Sequence, residues 1–185
     1  MTLRLIVVML GALVACNHLG SLQAEELSLQ KDSSKIEFVG SKPEGKHKGG
    51  FKKFEVAAVA DFESPQRSTI NIQIDTTSLW SDDDRLTNHL KSPDFFNVRK
   101  HPAITFESTA IVPGNGEEGK ATITGMMQML GKSVEVQIPA VASITDDSIK
   151  LTAEFEIDRT KWGMVYGQGK VNNNVKITAE LTLKR

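Results

Sequence analysis

The side chains best suited to acid–base or metal chemistry near neutral pH are the four histidines, His18, His47, His89 and His101. No two of them lie four residues apart, and the single cysteine, Cys16, is close to the N-terminus. This spacing does not indicate a zinc site. His89 follows Leu86 by three residues, which favours a partly buried, hydrogen-bonded histidine. No local nucleophile signature such as G-x-S-x-G is present, so we expect a protein without catalysis, without metal and without a cofactor.

Two further patterns match known motifs by letter but not by context. Residues 114–119 read G-N-G-E-E-G, the spacing of a dinucleotide fingerprint. No helical periodicity follows them, and Glu117 and Glu118 would repel a pyrophosphate, so we interpret the stretch as a hairpin turn. The run Asp82, Asp83 and Asp84 lacks the spaced oxygens and the terminal glutamate of a calcium-binding loop, and helix capping explains it.

Basic residues form two groups with open interpretations. Arg159 ends the most regular strand pattern, and Arg85 directly precedes Leu86. Both arginines are either surface residues or lie near a barrel mouth, where they anchor a polar head group or close the barrel through Asp158 and Asp84. The second group flanks the first predicted turn, the glycine-bounded residues 45–50, and consists of Lys42, Lys46, Lys48, Lys52 and Lys53. It is explained by a solvated hairpin or by a site for a phosphate or other anionic group.

Most of the chain is predicted to form β-strands, and these strands must position the residues described above. Apolar side chains recur at every second position over residues 149–157, and the same alternation is seen over 68–76 and 175–181. We count eight or nine such strands, mostly joined by short turns, which is typical of half-buried antiparallel sheets. A closed barrel and a two-sheet sandwich both fit this pattern. Several strands of nine or more residues favour the barrel, which also removes sheet edges.

Residues 79–109 interrupt the strands with a helical insert. Leu86 and Leu90 are four residues apart, and Ser81 with Asp84 has the spacing of a capping box. Ser92-Pro93 ends this helix and starts a second turn that carries Phe95 and Phe96. We predict that the insert caps one end of the barrel.

Composition and length predict one globular domain. The 185 residues carry a net charge of −1, which gives no general attraction to nucleic acid. Residues 1–24 form a basic start and an apolar run too short to span a bilayer, which predicts an export signal with a short tether. The run ends in Leu-Val-Ala-Cys and resembles a bacterial lipobox, which predicts that Cys16 is acylated and tethers the protein to a membrane in the periplasm. Ordinary cleavage near Ala24 is the alternative, and residues 25–185 are the predicted barrel domain.

Several motifs in register resemble the YceI-like family of bacterial exported proteins, from about residue 27 to 183. They are GKHKGGF (45–51), DRLTNHL (84–90), SPDFFNV (92–98), HPAITFEST (101–109), ITG (123–125), VQIPA (136–140) and FEIDRTKWGM (155–164). The resemblance implies a lipocalin-like antiparallel barrel that holds a long polyisoprenoid, such as a quinone or polyprenyl lipid, for storage or transport. It implies neither catalysis nor metal. The methionine-rich stretch 126–130 departs from the family pattern and affects the expected pocket shape.

Under this hypothesis, inward aliphatic and aromatic side chains bind the lipid: Phe38, Phe51, Ile72, Leu86, Leu90, Phe95, Phe106, Val136, Phe155 and Ile177. Polar residues are expected to hold its head group or close the barrel: His47, Arg85, His89, Asp158 and Arg159. We expect a monomer or homodimer whose partner is the lipid and not a nucleic acid. The alternatives are a barrel with a packed interior that acts through protein contacts, a transmembrane barrel, and an enzyme acting on a bound isoprenoid.

Overall fold

A computed structural model describes residues 24–114 and 119–185. Cys16 and the predicted export signal, apart from residue 24, lie outside the described residues, as do Glu117 and Glu118 of the predicted turn. The described residues form one α-helix and eleven β-strands, in the order β1 (Glu25–Leu29), β2 (Lys35–Lys42), β3 (Gly45–Phe51), β4 (Phe54–Ala60), β5 (Thr69–Asp75), β6 (Leu79–Ser81), α1 (Asp84–Lys91), β7 (Ala103–Pro113), β8 (Lys120–Met129), β9 (Lys132–Ile144), β10 (Ser148–Asp158) and β11 (Asn174–Lys184).

The strands form a closed antiparallel barrel. Eight of them follow one another around the ring in the order β1-β4-β5-β7-β8-β9-β10-β11. The ring closes where β1 pairs with β11, with Ser28 opposite Lys184 and Leu29 opposite Leu183. Strands β2, β3 and β6 extend the sheet from β11. The predicted barrel of about eight strands with a short helical insert is therefore confirmed, and the sandwich alternative is wrong.

Alternation places the apolar faces inside the ring. Strand β10 pairs with β11 over its full length, with Leu151 opposite Leu181 and Ala153 opposite Ala179. Leu181 and Ala153 are buried. The β8–β9 hairpin turns at Leu130 and Gly131, whose φ angles of 53° and 77° suit a two-residue turn between twisted strands.

The glycine-bounded stretch 45–50 was predicted as a turn, and that prediction is wrong. It forms β3, which pairs with β2 on one side and β6 on the other. Gly49 is needed for close approach, since a Cβ there would lie 2.5 Å from Cζ of Phe38 and 2.7 Å from the carbonyl oxygen of Trp80. The glycines therefore make room for neighbouring side chains and backbone within the sheet.

The helical insert is present, but its cap is two residues later than predicted. Ser81 ends β6 opposite Gly49, so its backbone belongs to the sheet. Asp83 is the N-cap instead, and its Oδ1 accepts a hydrogen bond of 2.7 Å from the backbone N–H of Leu86. Thr87 accepts a hydrogen bond from the N–H of Ser81 at 2.8 Å, which fixes the helix against the end of β6.

Candidate functional site

The barrel encloses an apolar cavity of about 440 Å³. Its wall is built from inward side chains of the strands, from α1 and from the turn that follows it. Nine of the ten apolar residues predicted to bind lipid lie in this wall: Phe38, Phe51, Ile72, Leu86, Leu90, Phe95, Phe106, Phe155 and Ile177. The arrangement can enclose an apolar molecule and exclude water from it.

Val136 is the exception, since it packs against the core and is not part of the cavity wall. It lies opposite Gly125 in the β8–β9 pairing. The ring of Phe106 fills the space above this glycine, because a Cβ at Gly125 would lie 2.5 Å from Cζ of Phe106. Alternation identified the face of β9 that packs on the core, but not the place of Val136 outside the cavity wall.

An aromatic cluster packs the turn after α1 against β2 and β3. The rings of Phe38, Phe51 and Phe96 have centroid distances of 5.7 to 6.2 Å, and Phe51 and Phe96 meet edge to face. All three line the cavity. The predicted cap is thus held by the same side chains that form the cavity wall.

A second cluster joins α1 to the irregular segment 163–173. The His89 ring meets Phe95 edge to face at 5.0 Å and Tyr166 at 4.8 Å. Its Nε2 lies 2.9 Å from Oδ2 of Asp94. His89 lies in the cavity wall as a hydrogen-bonded, partly buried side chain. Tyr166 also lines the cavity, and no periodicity in the sequence singled it out.

The guanidinium of Arg159 organises the segment 163–173. Arg159 is 3% exposed and donates hydrogen bonds only to backbone carbonyls. Nε donates to Asn172 at 3.1 Å, and Nη1 donates to Met164 at 2.7 Å and to Tyr166 at 2.9 Å. Nη2 donates to Val171 at 3.2 Å. Burial lowers the pKa of Arg159 and the charge of Asp158 acts in the opposite direction, yet an arginine stays protonated in proteins.

Three of these four acceptor residues, Met164, Tyr166 and Val171, line the cavity themselves. Arg159 therefore shapes part of the cavity wall. Of the roles left open for Arg159 in the sequence, a surface position is wrong because the side chain is buried. Its hydrogen bonds hold the segment 163–173 through backbone carbonyls and not through a carboxylate.

The proposed closure through Asp158 and Asp84 is wrong. Asp158 accepts two hydrogen bonds from Thr160, at 2.9 Å from its N–H and 2.7 Å from its hydroxyl. These bonds lower the pKa of Asp158. Arg85 is exposed and lies outside the cavity wall. Among the described residues, no ion pair includes Arg85 or Arg159.

His47 lies in the cavity wall on β3 and is oriented by Asp82. Its Nδ1 is 2.9 Å from Oδ1 of Asp82, and the other oxygen of that carboxylate accepts from the backbone N–H of Lys48 at 2.9 Å. The two bonds hold the start of β3 against the residue that follows β6. They lower the pKa of Asp82, with the Lys48 N–H as the largest cause.

In residues 24–114 and 119–185 there is no group of three or more metal-ligating His, Cys, Asp or Glu side chains. Within the same ranges no helix has the length and apolar character needed to cross a bilayer. A closed antiparallel ring around an apolar cavity, capped by one short helix, defines the class of binding-type β-barrels.

Within that class the family is shown by comparison with known proteins. The family described as YceI-like domain matches residues 27–183, and the chain belongs to it. UPF0312 proteins of Pseudomonas putida (strain GB-1) and Ectopseudomonas mendocina (strain ymp) are each 37% identical over 92 residues, which is 50% of this chain. The matched region covers 47% of either relative, so the chain spans about half the length of the curated relatives it matches.

Solved structures show the same fold. BcnA of Burkholderia cenocepacia has a TM-score of 0.78 at 23% identity, over 84% of this chain and 99% of BcnA. A polyisoprenoid binding domain from Saccharophagus degradans has a TM-score of 0.65 at 13% identity, over 85% of this chain and 97% of that domain. The resemblance to the YceI-like family in the sequence motifs is therefore confirmed.

Proposed function

We propose that this protein is an exported, non-catalytic carrier that holds the chain of a long polyisoprenoid, a quinone or polyprenyl lipid, inside the barrel for storage or transport. The observation that carries the proposal is the cavity of about 440 Å³ lined by aliphatic and aromatic side chains. A barrel packed shut by its own side chains, the alternative left open by the sequence, has no such cavity. The similar fold of a polyisoprenoid binding domain supports the same ligand class.

The shape and chemistry of the wall favour a repeating apolar chain over a flat polar ligand. Isoleucines from seven strands, among them Ile72, Ile104 and Ile177, line the cavity between the phenylalanines. A prenyl chain that buries on the order of 500 Å² gains roughly 12 kcal/mol at about 25 cal/mol per Å², before the cost of association. Affinity for the tail therefore needs no specific polar contact.

The proposal includes export to the periplasm and a tether through acylated Cys16, both of which concern residues outside the described ranges. Intact-mass measurement of the protein recovered from a bacterial envelope tests the tether. A diacylglyceryl and acyl mass on a chain beginning at Cys16 is expected, and its loss in Cys16→Ser is the control. A mature chain that begins near Glu25 without lipid would instead identify ordinary cleavage.

Native mass spectrometry of the protein purified without detergent, followed by organic extraction, tests the binding function. We expect an adduct that extracts as a polyprenyl or quinone lipid. A clean apo mass that incubation with both lipid classes leaves unchanged would contradict the proposal and favour a barrel that acts through its surface.

A second test of lipid binding introduces a charged residue into the cavity wall and compares it with the same change at an exposed position. Phe155→Asp places a carboxylate in the cavity, where it lies among apolar side chains, and we expect bound lipid to be lost. Val141→Asp on β9, which is 47% exposed, should leave lipid content unchanged. Circular dichroism of both variants shows whether the barrel is still folded, and lipid retained by a folded Phe155→Asp would speak against the cavity as the binding site.

A further inference from the structure

Two exposed apolar side chains, Val165 and Tyr166, are consecutive in the segment 163–173. Val165 is 54% exposed and Tyr166 is 46% exposed. They begin a turn, because the N–H of Gln168 donates to the carbonyl of Val165 at 3.1 Å, and Gly167 with a φ of 64° suits the third position of such a turn. Residues 165–168, which we call the apolar turn, therefore present two apolar side chains at the surface.

The cavity reaches the surface beside the apolar turn. Of the described residues in the cavity wall, the exposed ones are Lys42, Lys48 and Tyr166, and the others are buried or half-buried. The two lysines lie on the β2–β3 hairpin. This hairpin contacts the segment 163–173, since the N–H of Asn172 donates to the carbonyl of Ser41 at 2.8 Å. The cavity is therefore open to solvent between the hairpin and the apolar turn.

Positive charge is concentrated around the apolar turn. Lys161 precedes it and Lys170 follows it, while the segment 163–173 contains no aspartate and no glutamate. Lys132 reaches the same place from β9, since a Cβ at Gly163 would lie 3.2 Å from its Nζ. Within the described ranges no ion pair includes any of these three lysines. With the guanidinium of Arg159, which donates to the carbonyl of Tyr166, four positive charges lie near the turn.

The carboxylates beside the apolar turn are engaged by other groups. Asp94 lies 2.9 Å from Nε2 of His89, and Asp158 accepts two hydrogen bonds from Thr160. The bonds from Thr160 lower the pKa of Asp158, and the charge of Lys161 adds a smaller effect. The positive charge at the turn is therefore available to an anionic surface outside the protein.

An anionic bilayer is the partner that fits this combination of side chains. Lysines attract anionic lipids, a tyrosine ring suits the level of the head groups, and a small apolar side chain enters the boundary of the acyl region. A protein interface of standard size instead buries about 800 Å² of each partner around an apolar core. Two apolar side chains among lysines do not supply such a core.

We propose that the apolar turn docks the barrel onto an anionic bilayer, with Val165 and Tyr166 in the head-group layer and the neighbouring lysines on the lipid phosphates. Because Tyr166 also lines the cavity, docking brings the cavity entrance to the membrane. A prenyl chain then passes between bilayer and cavity without crossing water. Docking itself needs no bound lipid, whereas its use in lipid transfer rests on the proposed function.

A fluorescent dye at residue 165 measures docking locally. The full chain carrying Cys16→Ser and Val165→Cys is labelled with the environment-sensitive dye NBD and mixed with vesicles of equal parts phosphatidylethanolamine and phosphatidylglycerol. We expect the emission to rise about twofold and to shift to the blue, because the dye leaves water for the head-group layer. Val141→Cys, labelled in the same background, is the matched control. Val141 is a valine on β9 of similar exposure, 47%, and its dye should not respond.

Neutralising the lysines tests the role of charge. Lys161→Gln combined with Lys170→Gln should raise the lipid concentration at half of the dye response by about fivefold for each lysine. Lys150→Gln combined with Lys176→Gln removes the same charge from the outer face of β10 and β11 and should leave the response unchanged. Vesicles of phosphatidylcholine alone should give a weaker response than the anionic vesicles.

Each contrary outcome has a distinct meaning. A dye at residue 165 that stays in water, or that responds no more than the dye at residue 141, would overturn docking through the apolar turn. An equal response to phosphatidylcholine vesicles would overturn the choice of an anionic surface. Native mass spectrometry of the same protein reports separately on bound lipid. Lipid without a dye response would leave the proposed carrier function standing, and a dye response without lipid would leave docking standing and contradict the carrier.

Discussion

Replacing Arg159 by methionine removes the hydrogen bonds that hold the segment 163–173 and keeps a side chain of similar length. Arg159 is 3% exposed and donates to four carbonyls, those of Met164, Tyr166, Val171 and Asn172. At about 1.5 kcal/mol for each bond from a charged donor, their loss costs roughly 6 kcal/mol. The variant recovers the several kcal/mol spent on burying the guanidinium, so the expected net loss of unfolding free energy is about 2–4 kcal/mol.

Urea unfolding followed by circular dichroism measures this loss. At a slope of about 2 kcal/mol per molar urea, the midpoint of Arg159→Met should fall by about 1–2 M. Arg159→Lys keeps the charge, but its three N–H groups radiate from one nitrogen and cannot reach carbonyls spread from residue 164 to residue 172. An intermediate midpoint is expected for this variant.

Amide hydrogen exchange separates a local role from a general one. The N–H of Met164 donates to the carbonyl of Arg159 and that of Val171 to Gly167, so both amides report on the segment that Arg159 holds. In Arg159→Met these amides should exchange faster, while those in the β10–β11 ladder keep their relative protection. The reasoning is refuted if the segment keeps its protection in Arg159→Met, or if the urea midpoint does not move.

Two further variants test packing and electrostatics elsewhere. Gly49→Ala should cost about 1–3 kcal/mol because its Cβ would overlap the Phe38 ring, whereas Gly40→Ala, with nothing within 4 Å of its Cβ, should change stability by less than about 0.5 kcal/mol in the same urea assay. Equal effects would contradict the close approach at Gly49. Hydrogen bonds from Thr160 lower the pKa of Asp158 in the folded protein, so its charge contributes stability above the unfolded pKa of about 3.9, and the contribution disappears as the pH falls through the lower folded value. The midpoint difference between wild type and Asp158→Ala should therefore be larger at pH 7 than at pH 2–3, and a gap that is constant with pH would show that the carboxylate charge is not involved.

Much of the barrel was predictable because the alternation of apolar and polar residues along each strand indicates which of its faces is buried. Side chains alternate between the two faces of a strand, so residues such as Phe155 and Ile177 are identified as inward from their neighbours alone. Opposed inward residues on β10 and β11 then place the predicted apolar positions on one interior surface. Nine of the ten apolar residues predicted as inward therefore lie in the cavity wall, and Val136 does not.

Glycines were harder to interpret from the sequence. The sequence does not distinguish a glycine needed for a turn from a glycine needed to make room for an aromatic ring. At Gly49 the position of the Phe38 ring shows that the second role applies. The same ambiguity affects Gly125, which lies under the Phe106 ring. In both cases the deciding contact comes from the neighbouring strand, β2 for Gly49 and β7 for Gly125, so it depends on the pairing register of the two strands.

The sequence by itself determined the antiparallel strands with one apolar face each, the position of the helical insert and the apolar character of the interior, because strand alternation and helix spacing are local properties of the chain. The tertiary structure alone decided the closure of the ring through β1 and β11 and the contacts that hold the segment 163–173 and the start of β3. The acceptors of Arg159 are backbone carbonyls, which every residue type carries, and the His47–Asp82 pair joins residues 35 positions apart. Such contacts depend on how the closed ring brings loops together, and no local pattern of side chains records that geometry.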